Sequence, residues 1–350
     1  MKKIIRIIVI IILIPVVALG LIILYAAVTR YNPPEREVLY QSDSGTVVAD
    51  SSVLTLMSWN IGYCGLNREM DFFYDGGKRV RPPHEQVVKN IADVGSFLKR
   101  NDSLDFILLQ EIDVNSRRSY HIPEIDTFAH DLPAFHPYFA MNYNVFFVPL
   151  PFTEPMGSVK SGIASYTRFQ PFLVERYSYP SKFPFPKDLF MLNRCFMVKH
   201  FKTSDGKELL LINTHNSAYD PGGKLRTKEM NYFKAYLEKQ FNKGDYVIVG
   251  GDWNQSPAGF KPQFQGHPFD TLDVTYIPDH YLPDNWTWLY DRTMPSNRRV
   301  VAPYDPATTL TTVIDFFLLS PNVEALTVKT QDVGFEFSDH QPVIAKVRLK

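Results

Sequence analysis

Carboxylate, amide and imidazole side chains stand beside short apolar runs at several places along this sequence. Most of them directly follow such a run, and the full set is Asn60, Glu111, His215, Asn216, Asp252, Asn254, Asp315, Asp339 and His340. Carboxylates bind hard divalent cations together with water and phosphate oxygens. Carboxylates and imidazoles also move or orient protons, and an imidazole can stabilise developing negative charge. Each residue alone has a structural explanation as a strand end or a turn, but their recurrence predicts one functional site.

The elements that must position these residues follow from hydrophobic periodicity. Apolar runs typical of buried strands occupy residues 53–59, 104–110, 209–213, 245–250, 312–319 and 343–349. Residues 82–100 and 224–241 each have an apolar face at helical spacing. Alternating strands and helices over this length indicate sheets flanked by helices, with the polar residues on loops at the strand ends.

These segments resemble the motifs of the endonuclease/exonuclease/phosphatase superfamily, which includes pancreatic-type deoxyribonucleases, apurinic-site endonucleases, neutral sphingomyelinases and inositol-polyphosphate 5-phosphatases. The matching pieces are Met57-Ser-Trp-Asn60, Leu109-Gln-Glu111, Asn213-Thr-His215, Gly250-Gly-Asp252-Trp-Asn254, Ile314-Asp-Phe-Phe-Leu-Leu-Ser320 and Ser338-Asp-His340. The resemblance implies an α/β fold, a four-layer sandwich in which two packed mixed β-sheets are flanked by helices. It also implies metal-dependent hydrolysis of a phosphoester, without specifying the substrate.

The resemblance and the chemistry of the side chains agree on a metal site at Glu111. Glu111 is expected to bind Mg²⁺, with Mn²⁺ as a substitute, because magnesium takes one or two carboxylates plus waters and phosphate oxygens. Asn60 is expected to assist by a direct or water-bridged contact. Asp339 is a further candidate, either as a metal ligand or as a residue behind one. The cation would neutralise the charge that develops on the phosphate.

The same resemblance implies the catalytic roles. Asp252 is expected to accept a proton from the attacking water or to orient it, and Asn254 to position the phosphate. His340 would donate hydrogen bonds to the scissile phosphate, while Asp315 holds it in the right tautomer and keeps it cationic. His215 matches a second histidine of the deoxyribonuclease and sphingomyelinase branches, which favours a phosphodiesterase.

Arg194 and Lys78 are the candidates for binding the substrate phosphate. Lys78 lies with Arg79 and Arg81 in a segment that follows the first strand and could shape the mouth of the site. The alternative for these basic residues is a solvated surface position with no role in binding. Both interpretations stay open on the sequence alone.

The bulk composition limits the partners of the chain. Lys plus Arg and Asp plus Glu both number 37, so the formal net charge is zero. A neutral chain lacks the basic excess of a dedicated duplex-DNA binder, although a local basic groove would still admit nucleic acid. Cys64 and Cys195 form no CxxC motif, and they are either two unpaired apolar residues or a disulfide. We expect a monomer.

The amino terminus carries an apolar run long enough to span a membrane. Residues 7–28 contain no charge, and three basic residues precede them. Such a stretch crosses a hydrocarbon core of roughly 30 Å, and the basic residues place its start in the cytoplasm. The weak cleavage site at Tyr25-Ala-Ala-Val28 favours an uncleaved anchor over a signal peptide.

Three parts of the chain follow from this topology. They are a cytoplasmic start and single transmembrane anchor at 1–30, a polar linker at 31–52 and a catalytic domain at 53–350. The catalytic domain is expected outside the cytoplasm, in the periplasm or the extracellular space.

The substrate is open between several classes. Aromatic residues concentrate in 135–197, where prolines favour ordered loops, and they either fill the core or form a lipid-facing or ligand-stacking rim. The anchor, the aromatics and the neutral charge favour a phosphodiesterase acting on a phospholipid or sphingolipid head group. The likeness to deoxyribonucleases favours an extracytoplasmic nuclease instead, and a sugar or inositol phosphatase is a third hypothesis. A catalytically inactive binding protein is the least favoured, because every metal and imidazole position is present.

Overall fold

The computed structural model describes residues 2–220, 222–264 and 274–350. Within these residues the chain forms four α-helices, α1 Lys2–Val28, α2 His84–Arg100, α3 Glu124–Asp131 and α4 Lys224–Phe241. The strands of the same residues are β1 Arg36–Gln41, β2 Val47–Val48, β3 Val53–Asn60, β4 Phe106–Asp113, β5 His136–Val148, β6 Gly157–Thr167, β7 Leu173–Ser178, β8 Cys195–Thr203, β9 Glu208–His215, β10 Tyr246–Asp252, β11 Thr287–Leu289, β12 Asn297–Arg298, β13 Thr311–Thr312, β14 Asp315–Leu319, β15 Val323–Thr330 and β16 Val343–Leu349.

Two large sheets of the described residues pack face to face. The first has the order β1-β7-β8-β9-β10-β14-β11, with β2 beside β8, and the second has the order β15-β16-β3-β4-β6-β5. Their inner faces share one apolar cluster, which includes Leu56 and Leu108 of the second sheet with Leu211 and Ile248 of the first. Because β3 and β4 run parallel, as do β9 and β10, the carboxyl ends of these strands lie at common sheet edges.

Helices cover the outer faces of both sheets. The stripe that α2 buries against the second sheet consists of Val87, Ile91, Val94 and Leu98. On the first sheet, α4 buries Met230, Phe233 and Leu237. The prediction of four layers, with two packed mixed sheets between helices, is confirmed.

The segment 31–52 is not the free linker that its polar composition predicts. Here β1 pairs antiparallel with β7 at the edge of the first sheet, and β2 pairs in parallel with β8. Leu39 and Tyr40 pack on an apolar cluster, and Val48 is buried. An edge strand offers unpaired backbone groups, which a short strand can satisfy whatever its side chains are. The folded domain therefore begins before residue 53.

The aromatic stretch 135–197 contains more strand than its prolines predict. The 13-residue strand β5 pairs antiparallel with β6 and contains Pro137 near its start, where an edge strand tolerates a missing N–H. The ordered loops of this stretch are 149–156 and 179–194. Tyr143 of this stretch is buried, whereas Phe152 is exposed, so not all of the aromatic residues fill the core. A lipid-facing or ligand-stacking rim stays a prediction.

Helix α1 stands outside the layers. It is the one helix of the described residues that is long and apolar enough to cross a membrane. Nearly all of its side chains are exposed, and Ala26 near its end is buried against the domain. This exposure of apolar side chains is what a lipid-embedded helix or a signal sequence shows.

Candidate active site

The central strands of both sheets end at one cleft. In the first sheet, Asp252 of β10 pairs with His215 of β9 on one side and with Asp315 of β14 on the other. In the second sheet, Asn60 ends β3, and Glu111 lies near the end of the neighbouring strand β4. The two edges meet, since Nδ2 of Asn60 donates a hydrogen bond to Oδ2 of Asp252 at 2.9 Å.

A β-bulge in β4 aims Glu111 at the cleft. The pairing of β4 with β6 shifts register between Gln110 and Ile112, and Glu111 between them has a φ of 55°. Such a conformation costs a non-glycine residue on the order of 1–3 kcal/mol, and a bulge commonly re-aims a side chain beside a functional site. Oε1 of Glu111 lies 3.5 Å from Nδ2 of Asn60, and the side chain is 25% exposed.

The carboxylates of Glu111, Asp252 and Asp339 lie close together in the cleft. Burial raises the pKa of Asp339 to about 7, against an opposing effect of His340 and with a contribution from Glu111. Burial and the neighbouring Asp315 raise the pKa of Asp252 to about 6. Carboxylates crowded in this way are expected to favour a bound cation. The carboxylate oxygens of Glu111 and Asp339 are donors that a hard divalent ion prefers, so these two residues fit a metal. Asn60 turns its Nδ2 towards the carboxylates, and its Oδ1 accepts a hydrogen bond from the backbone N–H of Gly62.

Asp315 holds His340 in one orientation. Oδ2 of Asp315 lies 2.8 Å from Nδ1 of His340 and accepts a hydrogen bond from Ser296 Oγ at 2.8 Å. Burial lowers the pKa of His340, but the carboxylates of Asp315, Asp339 and Asp252 outweigh this and raise it well above 6.5. Asp252, Asp315 and His340 also offer ligand atoms within 4.8 Å of one another. We assign them to proton chemistry, because Oδ2 of Asp315 is already paired with Nδ1 of His340.

His215 approaches Asp252 from the other side. Its Nε2 lies 3.4 Å from Oδ2 of Asp252 and 3.8 Å from Oε1 of Glu111. Burial lowers the pKa of His215 well below 6.5, and the cations Arg194 and His340 lower it further. This direction favours a neutral ring at pH 7, whose Nε2 faces the carboxylates. Its Nδ1 is buried and has no hydrogen-bond partner among the described residues.

A tight turn fixes Asn254 beside Asp252. The backbone N–H of Asn254 donates to Oδ1 of Asp252 at 2.9 Å, and its Nδ2 donates to the carbonyl of Asn216 at 2.9 Å. Gly251 precedes the turn with a φ of 156°, and a Cβ there would lie 2.1 Å from the carbonyl oxygen of Thr214. Only glycine allows this approach of β10 to β9, which keeps Asp252 and Asn254 at the cleft.

The two predicted phosphate-binding residues lie in different places. Arg194 lines the cleft at 8% exposure, and its Nη1 has no hydrogen-bond partner among the described residues. A buried guanidinium with a free donor suits an anionic ligand. Lys78 is exposed and lies outside the residues that line the cleft. Its loop closes on itself, since Arg79 and the backbone N–H of Lys78 both bind Asp71. The structure therefore does not bring Lys78 to the site.

Sequence patterns missed Asn297 and most of the cleft wall. Nδ2 of Asn297 lies 3.0 Å from Nε2 of His340, and a half-turn of the amide would present its oxygen to the protonated ring. Asn297 belongs to the short strand β12 in a polar segment, so no apolar run marks it. The cleft has a volume of about 1050 Å³, and its aromatic lining comprises Phe72, Tyr74, Tyr143, Phe183, Tyr219, Tyr276 and Tyr281.

Comparisons with known proteins agree with this arrangement. The model of the Endonuclease/Exonuclease/phosphatase family matches residues 57–340. Comparison with curated protein sequences gave no match.

Solved structures share the fold at low sequence identity. ANGEL2, a 2′,3′-cyclic phosphatase in complex with adenosine-2′,3′-vanadate, is 15% identical with a TM-score of 0.56, covering 91% of this chain and 99% of its own. An endonuclease/exonuclease/phosphatase from Beutenbergia cavernae is 16% identical with a TM-score of 0.53, covering 85% and 72%. D. rerio TDP2 complexed with a single-strand DNA product is 14% identical with a TM-score of 0.51, covering 85% and 99%.

Proposed function

Because the chain belongs to the endonuclease/exonuclease/phosphatase family, we propose that it is a Mg²⁺-dependent phosphodiesterase that acts outside the cytoplasm on a phospholipid or sphingolipid head group. The observation that carries the reaction is the position of Asp252 between His215 and His340, whose pKa values are shifted in opposite directions. The carboxylates of Glu111 and Asp339 beside them supply the metal site.

Glu111 and Asp339 would hold the metal, with Asn60 beside them. Mg²⁺ suits a site with few carboxylates, because it keeps several waters and takes phosphate oxygens as further ligands, and Mn²⁺ accepts the same oxygen donors. When bound, the ion supplies Lewis-acid stabilisation of the phosphoryl oxygens.

The protein's own groups supply the proton transfer and the hydrogen bonds. Asp252 accepts a proton from the attacking water, and its pKa of about 6 leaves it mostly ionised at neutral pH while keeping it basic. The second N–H of the Asn254 amide is left for a phosphoryl oxygen. His340 donates from Nε2 as negative charge grows on the phosphoryl group, which would replace the Asn297 amide beside that nitrogen, and Arg194, which also lines the cleft, offers its free Nη1. His215 adds a neutral donor.

Three features support a lipid substrate. The apolar helix α1 is long enough to anchor the chain in a membrane. The cleft is lined by polar and charged side chains together with seven aromatic rings, and the aromatic part suits the glycerol or ceramide portion next to a phosphodiester. The net charge of zero gives no general attraction to polyanions.

A nuclease is the second candidate. The structures of TDP2 with a single-strand DNA product and of ANGEL2 with an adenosine vanadate favour it. An aromatic cleft also suits the stacking of unpaired bases. A sugar or inositol phosphate would need fewer apolar contacts than this cleft offers.

The full chain in detergent micelles is the material for the test, because truncation at residue 53 would remove β1 and β2. Turnover is measured on phosphatidyl and sphingomyelin-type lipids, single- and double-stranded DNA, RNA, inositol phosphates and a bis-phosphodiester dye. Each is assayed with Mg²⁺ and with chelator. Lipid cleavage that requires the metal supports the proposal. DNA cleavage without lipid cleavage selects the nuclease, and chelator-resistant turnover excludes the metal.

Topology is tested separately by a reporter fused after Lys350. We expect activity when this fusion carries a reporter enzyme that works only outside the cytoplasm. Activity of a reporter that works only in the cytoplasm would contradict the proposed orientation.

A further inference from the structure

Among the described residues, the exposed phenylalanines all lie in one part of the catalytic domain. Phe146 near the end of β5 is 37% exposed, Phe152 in the loop 149–156 is 85% exposed, and Phe185 in the loop 179–194 is 67% exposed. Leu150 in the first of these loops is 39% exposed. We name these four residues the apolar rim. Exposed apolar side chains that form one contiguous patch mark an interaction surface.

The end of α1 lies against the apolar rim. The rings of Tyr25 and Phe146 pack edge to face with centroids 4.4 Å apart. Nη2 of Arg30 lies 2.9 Å from Oδ2 of Asp188, in the same loop as Phe185. The apolar surface of the helix therefore continues directly into the apolar surface of the domain.

Hydrogen bonds attach the chain between α1 and β1 to the domain, and they restrict the movement of α1 relative to the domain. The side chain of Asn193 donates to the carbonyl of Tyr31 at 3.4 Å, and Lys182 Nζ donates to Asn32 at 2.9 Å. Ser178 Oγ donates to the carbonyl of Pro34 at 2.7 Å. These contacts therefore define the orientation of α1 relative to the catalytic domain.

The loops that carry the apolar rim also line the cleft. Met156 ends the first loop, and Phe183 and Met191 belong to the second, and all three face the cleft. The hydroxyl of Tyr143, another cleft residue, donates to the carbonyl of Phe190 at 2.9 Å and ties this loop to β5. The second loop therefore has an outward face near α1 and an inward face at the site, and the first loop directly follows β5, whose Phe146 contacts α1.

We infer that the apolar rim inserts into the outer leaflet of the same bilayer that holds α1, so that the cleft opens at the head-group layer. The exposed Lys182 and Lys187 beside Phe185 would lie at the level of the lipid phosphates. Docking itself needs only the anchor and the rim, whereas its value for catalysis rests on the proposed lipid substrate. A lipid phosphodiester could then reach Asp252 without leaving the membrane.

Cysteine probes test the docking directly. The native Cys64 and Cys195 are buried, so a fluorophore can be attached selectively to Phe152→Cys or Phe185→Cys in the full chain. The matched control is Val47→Cys, a residue 57% exposed in β2. Val47 pairs with Lys202 near the far end of β8, about 23 Å along the strand from its Cys195 end.

The labelled proteins are reconstituted in liposomes with and without brominated lipids. Blue-shifted emission and bromine quenching at positions 152 and 185, with water-like emission at 47, is the expected result. Equal, water-like emission at all three positions would overturn the docking, whatever substrate the enzyme has.

A double substitution, Phe152→Ser with Phe185→Ser, links docking to catalysis. We expect cleavage of lipid in the same bilayer to fall about tenfold, as loss of partial burial of two aromatic side chains implies. Cleavage of the soluble bis-phosphodiester dye should stay unchanged, and Val47→Ser should alter neither rate. A parallel loss of both rates would contradict the docking, and absence of lipid cleavage in the native chain would refute the proposed substrate while leaving the probe result valid.

Discussion

The two histidines that flank Asp252 have the same side chain and opposite electrostatic environments. His340 has a buried carboxylate, Asp315, at 2.8 Å from its Nδ1. His215 has no partner at Nδ1 among the described residues and lies near the cations Arg194 and His340. The pKa of His340 therefore rises well above 6.5, whereas that of His215 falls well below it.

This difference shows how one cleft can hold a cationic donor and a neutral donor at the same pH. Groups of one type whose pKa values are pushed apart commonly divide the roles of an active site. Here the cation stands where the first sheet meets the loop before β16, and the neutral ring stands between Asp252 and Glu111. A metal at Glu111 would reinforce the contrast, because its positive charge disfavours a proton on His215.

The largest effect is expected from the carboxylate that both histidines face. Asp252→Asn keeps the shape of the side chain but removes its basicity, so kcat should fall by about 10³-fold. The measurement is turnover of the best substrate of the panel at saturating Mg²⁺. Asp284→Asn, at an exposed position, is the matched control and should keep full activity. Comparable activity of Asp252→Asn and the native chain would remove Asp252 from the mechanism.

The next effect comes from uncoupling His340 from its partner. Asp315→Asn removes the charge that raises the pKa of His340, so kcat/KM at neutral pH should fall by about 10²-fold. Because activity needs the protonated ring and is lost as pH rises through its pKa, the alkaline limb of the pH profile should move to lower pH. Rescue of activity by acidification is the diagnostic result. An alkaline limb at its native position would show that this limb does not report His340.

Sequence patterns predicted the strand-end residues because their positions are local. An apolar run ends where its strand ends, and parallel neighbours then bring Asp252 and His215 to the same register. The amphipathic stripes of α2 and α4 were predicted for the same reason. Pairing of β1 with β7 could not be predicted, because it depends on an unpaired edge far along the chain.

The opposite pKa shifts of His215 and His340, and the position of Lys78, also could not be predicted from the sequence. Whether a histidine is cationic depends on burial and on partners from distant segments, as Asp315 and Asn297 are for His340. Lys78 has the charge of a phosphate ligand, but it is exposed outside the cleft lining, although Phe72 and Tyr74 of the same loop line the cleft. Residue type gives the available chemistry, and the tertiary contacts decide which residues use it.

A smaller effect is expected from the neutral histidine. His215→Asn keeps a neutral donor at the end of β9 but shortens its reach, so kcat should fall by about tenfold, the value of one hydrogen bond to a charged group. The pH limits should not move, because His215 stays neutral across the working range. Profiles of kcat/KM for His215→Asn and Asp315→Asn, recorded together, test the contrast. A shifted limb in His215→Asn would mean that both rings titrate.

The smallest effect is on stability, and it concerns the metal side of the cleft. The native pKa values of Asp252 and Asp339 are raised from 3.8 to about 6 and about 7, so the native protein binds more protons than the unfolded chain between these values. Stability without metal should therefore decrease as the pH rises through this window, and the raised pKa of His340 acts in the same direction. His215 opposes the trend, since its native pKa is lowered, but it is one group against three.

Thermal unfolding of the chelated full chain, followed by tryptophan fluorescence in detergent, is expected to give a Tm a few degrees higher at pH 5.5 than at pH 8. Saturating Mg²⁺ should raise the Tm most at pH 8, where the carboxylates are ionised and the ion binds only the native state. Asp339→Asn removes one of the crowded charges, so it should flatten the pH dependence and weaken the response to Mg²⁺. A Tm that rises with pH in chelator would contradict the expectation that ionisation of the cleft carboxylates destabilises the native protein.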